Sequence, residues 1–436
     1  MQRDHTEPLR VGLVGRVSAG KSTLVNAIVG RRVAPTAAQE CTRLVTVYRR
    51  GAPEAWTCVD ADGREHPLPH DPRERDDRLA GIDRPERIDV TLPSAALDDL
   101  VLVDTPGLQG ASEETDSAVV AALAGFDCLL YLFRGDVRAD DEGLATEFAK
   151  ATGGTRASAR RAVGLLSHAD AFGAGAFGAE DPIDAARARA RELEAAYAVS
   201  FARVLAVSTL LGESARTGAI TESRTGLLRS LATRPEAELR FANVVPLAGV
   251  EPEALLDLEA TLAPYGLAHG RSAATTVREL TAWAEERSGF GALQQHLDEA
   301  VRPVVHASRL RDAVEALTGL VRGLSGPARP RASDVLERHL GGAGFQVVRE
   351  LTAYLELLGS APSHRWRADL EQLLARPAVE DRLAWLRSLD GSADRATILA
   401  RASRYTAAGS LARLGAEALA ARTLSASMVL MAQEVG

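Results

Sequence analysis

The spacing of apolar positions divides the chain into two regimes. Up to about residue 250, short apolar runs alternate with stretches of helical periodicity, the pattern of βα units around a mainly parallel sheet. Strands are predicted at Leu9–Val14, Thr42–Tyr48, Ile88–Leu92, Leu100–Val103, Cys128–Phe133, Ala162–Leu166 and Val204–Val207. The short turn-like segment between Ile88–Leu92 and Leu100–Val103 predicts an antiparallel hairpin at a sheet edge. Residues 60–87, with DPRERDDR at 71–78, read as a solvated loop. From about residue 270 strand signals end and amphipathic helical patterns take over, as in VRELTAWAEE, ALQQHLDEAV and SRLRDAVEALTGLVRGL, with breaks at SGPARPRASD (325–334) and GSAPSH (359–364). The expected architecture is an α/β domain with a mainly parallel sheet and a helical extension over 1–305, followed by an all-α bundle over 306–436.

Composition narrows this picture. A chain of 436 residues exceeds one ordinary domain, and 46% hydrophobic with 25% charged residues is the balance of a folded globular protein. The three cysteines, Cys41, Cys58 and Cys128, have neither metal-ligand nor disulfide-like spacing, which suits a reducing compartment. The N-terminus MQRDHTEPLR has no apolar core of a signal peptide and no run nears 18 apolar residues, so a cytoplasmic location is expected, with any membrane contact peripheral, at the inner face of the plasma membrane. The net charge of −8 argues against a nucleic-acid partner. Residues 301–436 nevertheless carry 18 Arg against 14 acids. This third of the chain is where an anionic surface would be met, unless it is simply an arginine-rich solvated face. Lysine occurs only at 21 and 150, which makes each one informative.

The first of them completes a phosphate-binding motif. In LRVGLVGRVSAGKSTLVNAIVG, Gly15-x4-Gly20-Lys21-Ser22 follows an apolar strand and opens an amphipathic helix. Backbone N–H groups of Gly15, Arg16, Val17, Ser18, Ala19, Gly20 and Thr23 are placed to wrap phosphates at a helix N-terminus. Lys21 would reach the β- and γ-phosphates and the Ser22 hydroxyl would ligate magnesium. Strand Leu100–Val103 runs into Asp104-Thr105-Pro106-Gly107, where the acid can hold magnesium through water and the Gly107 N–H can sense the γ-phosphate. Between the two motifs, PTAAQECTRLVTVY offers Thr42 as a third magnesium ligand that closes over the nucleotide, with Thr36 and Thr46 as rivals.

Base choice needs an acid that accepts from guanine N1–H and the exocyclic amine. AVGLLSHADAF supplies Asp170 after a strand, preceded by Ser167 and His168; the ring of His168 can stack on a base, and it can equally be a plain surface histidine. Strand Val204–Val207 delivers Ser208, whose backbone N–H is a candidate for guanine O6.

The motifs GRVSAGKSTLVNAIVGRRVAPT, ECTRLVT, LVDTPGL, LYLFRGDVRADD, LLSHAD and VLAVSTLL, in this order, resemble bacterial dynamin-like GTPases, most closely the isoniazid-inducible type of actinobacteria. LAPYGLAHGR and ERSGFGALQQHLDEAV resemble the helical extension that ends such domains, and the resemblance fades after about residue 305. It implies GTP or GDP with Mg2+ as ligands, hydrolysis driven by pairing of GTPase heads, and a helical neck or stalk that carries force to a membrane. It also implies that Lys21, Ser22, Thr42, Asp104 and Gly107 serve hydrolysis. The usual Asn-Lys-x-Asp is reduced here to Ser167-His168-Ala169-Asp170, so only its acid remains. The P-loop glutamine that positions water in eukaryotic dynamins is Val17, which implies slow hydrolysis by a monomer. About ten residues precede the first strand, where relatives carry a further helix, so the helical part is expected to be completed by a second copy or a related dynamin-like subunit, with Phe345–Leu358 as its contacting tip. The rival readings are a GTP-binding scaffold with little hydrolysis and an assembly GTPase acting on RNA.

Overall fold

The computed structural model describes residues 7–35, 44–108, 119, 122–123, 125–137, 143–148, 161–198, 200–242, 244–340, 342, 345–360, 364–374, 376, 378–413 and 415–435. They fall into two compact units that part between Gln294 and Gln295.

The first unit is built on nine strands: β1 Leu9–Gly15, β2 Val45–Arg50, β3 Ala55–Asp60, β4 Glu65–Leu68, β5 Pro85–Leu92, β6 Leu100–Asp104, β7 Cys128–Phe133, β8 Ala162–Leu166 and β9 Arg203–Ala206. They form one mixed sheet in the order β4-β3-β5-β2-β6-β1-β7-β8-β9. From β6 through β9 every pairing is parallel. Strands β6, β7 and β8 are buried along their whole length, which is why they read as unbroken apolar runs rather than alternating ones. The first unit also holds α1 Lys21–Val29, α2 Pro72–Ala80, α3 Pro182–Ala196, α4 Thr209–Arg216, α5 Glu222–Ser230, α6 Glu236–Arg240, α7 Pro252–His269 and α8 Val277–Ser288, and α9 Phe290–His296 runs across the division.

The expected hairpin of Ile88–Leu92 with Leu100–Val103 does not form. Strand β2 lies between β5 and β6, parallel to the first and antiparallel to the second. Residues 60–87 are not a loop either. β4 pairs with β3, and Asp71 caps α2 by accepting from the N–H groups of Arg73 and Glu74, with Pro72 at the first helical position. No residue of α2 is buried, so the segment is solvated as its composition requires, yet helical because its cap is.

The second unit contains α10 Arg302–Gly323, α11 Ala328–Leu340, α12 Gln346–Ser360, α13 Trp366–Leu374, α14 Val379–Asp390, α15 Arg395–Gly409 and α16 Gly415–Glu434. Its core gathers Leu351, Tyr354, Leu357, Leu370, Leu373, Ile398, Leu424 and Met428. Inside it, the Glu350 carboxylate accepts two bonds from the Arg382 guanidinium, at 2.9 and 2.8 Å. Ser427 donates to the same carboxylate (2.6 Å), and Gln346 donates to Ser427 (2.7 Å). Two sequence expectations change here. SGPARPRASD is mostly helix, since α11 begins at Ala328. Residues 345–358 are not an exposed tip: Val348, Leu351, Tyr354 and Leu357 are core residues, because the apolar stripe of α12 faces the bundle.

Candidate nucleotide site

The phosphate loop follows from close packing around two glycines. β1 ends at Gly15, where a Cβ would stand 2.3 Å from the Leu132 carbonyl oxygen of the neighbouring strand β7. Residues Arg16 to Ala19 turn the chain, with Ser18 at φ 61° and the Ala19 N–H on the Arg16 carbonyl. Gly20 (φ 94°) then starts α1, and a side chain there would meet the Thr209 hydroxyl at 2.7 Å. A glycine N-cap supplies no side-chain acceptor, so the first N–H groups of α1 remain aimed at a ligand, with the partial positive charge of the helix behind them.

Lys21 is buried and its ammonium donates to the carbonyls of Gly15 (2.9 Å) and Arg16 (3.0 Å), which hold a point charge at the centre of the loop. Ser22 donates to Asp104 Oδ2 (3.0 Å), so the hydroxyl at the start of α1 and the buried acid at the end of β6 face each other. Two hard oxygen donors at this separation fit magnesium, an ion that takes the rest of its shell from phosphate oxygens and water. Among the described residues no cluster of three or more His, Cys, Asp or Glu is placed to hold a metal by itself. The loop after Asp104 is locked onto β1: the Thr105 hydroxyl donates to Leu13 O (2.8 Å), and the Leu108 N–H to Gly15 O (3.1 Å). Thr105 is therefore a framework residue with its side chain turned into the core. Pro106 and Gly107 lie between these anchors, over the P-loop.

Of the switch candidates, Thr42 and Thr36 lie outside the described residues. Thr46 is a buried residue of β2, paired in register with Asp104.

The candidate base-side residues lie at the ends of β8 and β9. Ser167 is buried and bonds the Phe133 carbonyl through both its N–H (2.9 Å) and its hydroxyl (3.0 Å). His168 adopts a left-handed conformation (φ 56°), with Nδ1 3.2 Å from the Ser167 hydroxyl. Burial, and after it the charge of Arg134, push the imidazole pKa down, against the opposing pull of Asp170. Asp170 sits in the next short turn, mostly buried, with no hydrogen bond to its carboxylate among the described residues. An acceptor-only group in that state suits a pair of guanine donors.

Ser208 does not present its N–H to a base. That N–H donates to Ser288 O (2.9 Å), and the hydroxyl caps α4 by accepting from Leu211 N, so the residue is fully engaged in the fold. A strand-end serine directly before a helix is an N-cap signal, and here the cap wins over the ligand role. The sequence reading missed Asn26. It is buried on α1, accepts from the N–H groups of Val33 and Ala34 (2.8 and 2.7 Å), and donates to Ala34 O (3.0 Å) and Glu213 (2.8 Å). One amide thus ties the helix of the P-loop, the chain leaving it and α4 together. Its signal was a polar residue inside the apolar run LVNAIV.

A central parallel sheet with a Gly-Lys-Ser loop on β1, an acid at the end of β6 and a base-side acid beyond β8 defines a P-loop GTPase domain. Residues 11–151 match the model of the Dynamin family, so this part of the chain is a dynamin-family GTPase domain, and the chain resembles the bacterial dynamin-like GTPases. Two curated relatives, isoniazid-induced protein IniC of Mycobacterium tuberculosis strains CDC 1551 / Oshkosh and ATCC 25618 / H37Rv, are each 36% identical over 246 residues. The match covers 54% of this chain and 49% of the relative, so the chain spans about half the length of the curated relatives it matches. Among solved structures, a bacterial dynamin pair described as oligomerised aligns over 98% of this chain and 67% of its own, with 11% identity and a TM-score of 0.37. Era of Aquifex aeolicus bound to GDP and aluminium fluoride aligns over 47% and 52%, with 16% identity and a TM-score of 0.26.

Proposed function

We propose that this chain binds GTP with magnesium and hydrolyses it as a dynamin-like GTPase, coupling the pairing of its heads to work on a membrane. The observation that carries the reading is the Ser22 hydroxyl on Asp104, beside the Lys21 ammonium at the head of α1. In this reading Ser22 and Asp104 hold the magnesium, joined by Thr42, and the ion supplies charge neutralisation on the transferred phosphoryl group. Lys21 and the N–H groups of the P-loop and Gly107 bind the phosphate oxygens, and Asp170 accepts from guanine. Val17 carries no group that can orient water, so the order needed for attack comes from a second head. The helical unit, with its excess of arginine, is the part offered to an anionic membrane or to a second dynamin-like subunit. No helix of the described residues is long and apolar enough to cross a membrane.

The deciding experiment is GTP turnover as a function of protein concentration, with and without anionic liposomes. Specific activity should rise with concentration, and ATP should not replace GTP. Asp170→Asn should weaken GTP and favour xanthosine triphosphate. A high rate at extreme dilution that stays flat on concentration would remove the head-pairing mechanism. GTP binding without any turnover would leave a scaffold.

A further inference from the structure

Twelve large apolar side chains are exposed among the described residues, and eight of them fall into two patches. In the first unit, Val244 and Leu256 line a cavity of about 90 Å³ together with Leu247, Val250, Leu255 and Glu259, formed by the segment that leaves α6 and the start of α7, and Phe241 and Val245 are exposed on the same segment. That is several times the ~15 Å³ a single water needs, and the lining is too apolar to hold water well. The second patch is the α10–α11 hairpin of the second unit, where Leu317, Leu320, Leu324 and Val335 are exposed and α11 buries nothing.

The charges around the two patches are opposite. Residues 236–260 carry Glu236, Glu238, Glu251, Glu253, Asp257 and Glu259 against Arg240 alone. Arg234 pairs with Glu238 and Arg224 with Asp257, leaving four glutamates with no ion pair among the described residues. Glu259 is half-buried, and burial raises its pKa, the condition of a carboxylate lacking a cation. From Leu317 to Val335 the hairpin carries Arg322, Arg329 and Arg331 against Asp334 alone. Two copies of the acidic patch would repel one another, and an anionic bilayer would be repelled in the same way.

We propose that the cavity between α6 and α7 receives the leucine-and-arginine tip of the α10–α11 hairpin of a second copy of this chain. Leu320 or Leu324 fills the cavity, and Arg322 meets Glu259. The contact joins different surfaces on the two partners, so it runs head to tail and does not close on a two-fold axis. It needs no nucleotide, which separates it from pairing of GTPase heads.

The test uses the full chain without nucleotide, at low salt, followed by sedimentation velocity. The wild type should grow in mass with concentration. Leu320→Glu and Val244→Glu should each lose association at least tenfold. Mixed in equal amounts they should form a one-to-one dimer, because the intact hairpin of one meets the intact cavity of the other. If either glutamate variant unfolds, Arg322→Glu and Glu259→Arg replace them: each should be weak alone, and the mixture should grow in mass with concentration, because both contacts are restored, one with its charges exchanged. A monomeric wild type, single variants that still associate, or a mixture that stays monomeric overturns the proposal. So does a Leu320→Glu variant that associates normally but no longer sediments with phosphatidylserine vesicles, since the hairpin would then be a lipid surface.

Discussion

Gly107 lies directly against Val17: a Cβ placed on the glycine would stand 2.7 Å from Val17 Cγ2 and 2.9 Å from the Val17 backbone nitrogen and Cα. Two of those three atoms are backbone, so no rotamer change makes room. Gly107→Ala should displace either the P-loop or the loop after Asp104 and lower GTP affinity at least tenfold, about 1.4 kcal/mol. Fluorescent nucleotide titration measures this, with circular dichroism as the check on folding. An alanine variant that binds GTP like the wild type would mean the two loops separate freely.

Ser208 separates a capping role from a base-contacting one. Because its N–H belongs to Ser288 and its hydroxyl to the first turn of α4, Ser208→Ala should lower stability by about 1 kcal/mol, the usual worth of an N-cap, and leave GTP affinity within about twofold. Thermal unfolding and nucleotide titration on the same preparation decide it. Loss of GTP binding at unchanged stability would return Ser208 to the base site.

His168 gives the domain a predictable response to acid. Its folded pKa is depressed, chiefly by burial, so the unfolded chain binds the proton more tightly than the folded one. The associated stability is present above the unfolded value of about 6.5 and is lost as pH falls through the folded value. Thermal midpoints should drop on mild acidification, and His168→Gln should remove that part of the drop. An unchanged pH profile in the variant would show that other groups are responsible.

In the second unit, Glu350→Ala should cost about 3–5 kcal/mol in denaturant unfolding, because it leaves the buried Arg382 guanidinium without its carboxylate. Replacing Glu350 and Arg382 together by leucine and methionine should cost far less. Equal losses in the single and double variants would contradict this account.

How much was legible depended on whether a residue's role was local. The P-loop was readable because Gly15, Gly20, Lys21 and Ser22 act within one strand–turn–helix unit. Asp104 was readable because an acid ends an apolar strand. The place of β2 was not, because pairing between β5 and β6 is settled by non-local registry that no short window contains. β3 and β4 mix polar and apolar residues at an edge, which weakens their period. Ser208 failed for a similar reason: its N–H partner, Ser288, lies eighty residues away. Asn26 was an anomaly in the sequence whose meaning required Glu213 beside it.

The buried quartet of the helical unit limits what that bundle can do mechanically. Gln346 and Glu350 stand on α12, Arg382 on α14 and Ser427 on α16. Sliding α12 or α14 by one turn, about 5.4 Å, would bury a carboxylate or a guanidinium without its counterpart, and sliding α16 would take the Ser427 hydroxyl from both Glu350 and Gln346. The quartet therefore works as a tumbler lock: the three helices hold a single register, and a push arriving at one is delivered by all three as a lever rather than spent in shear.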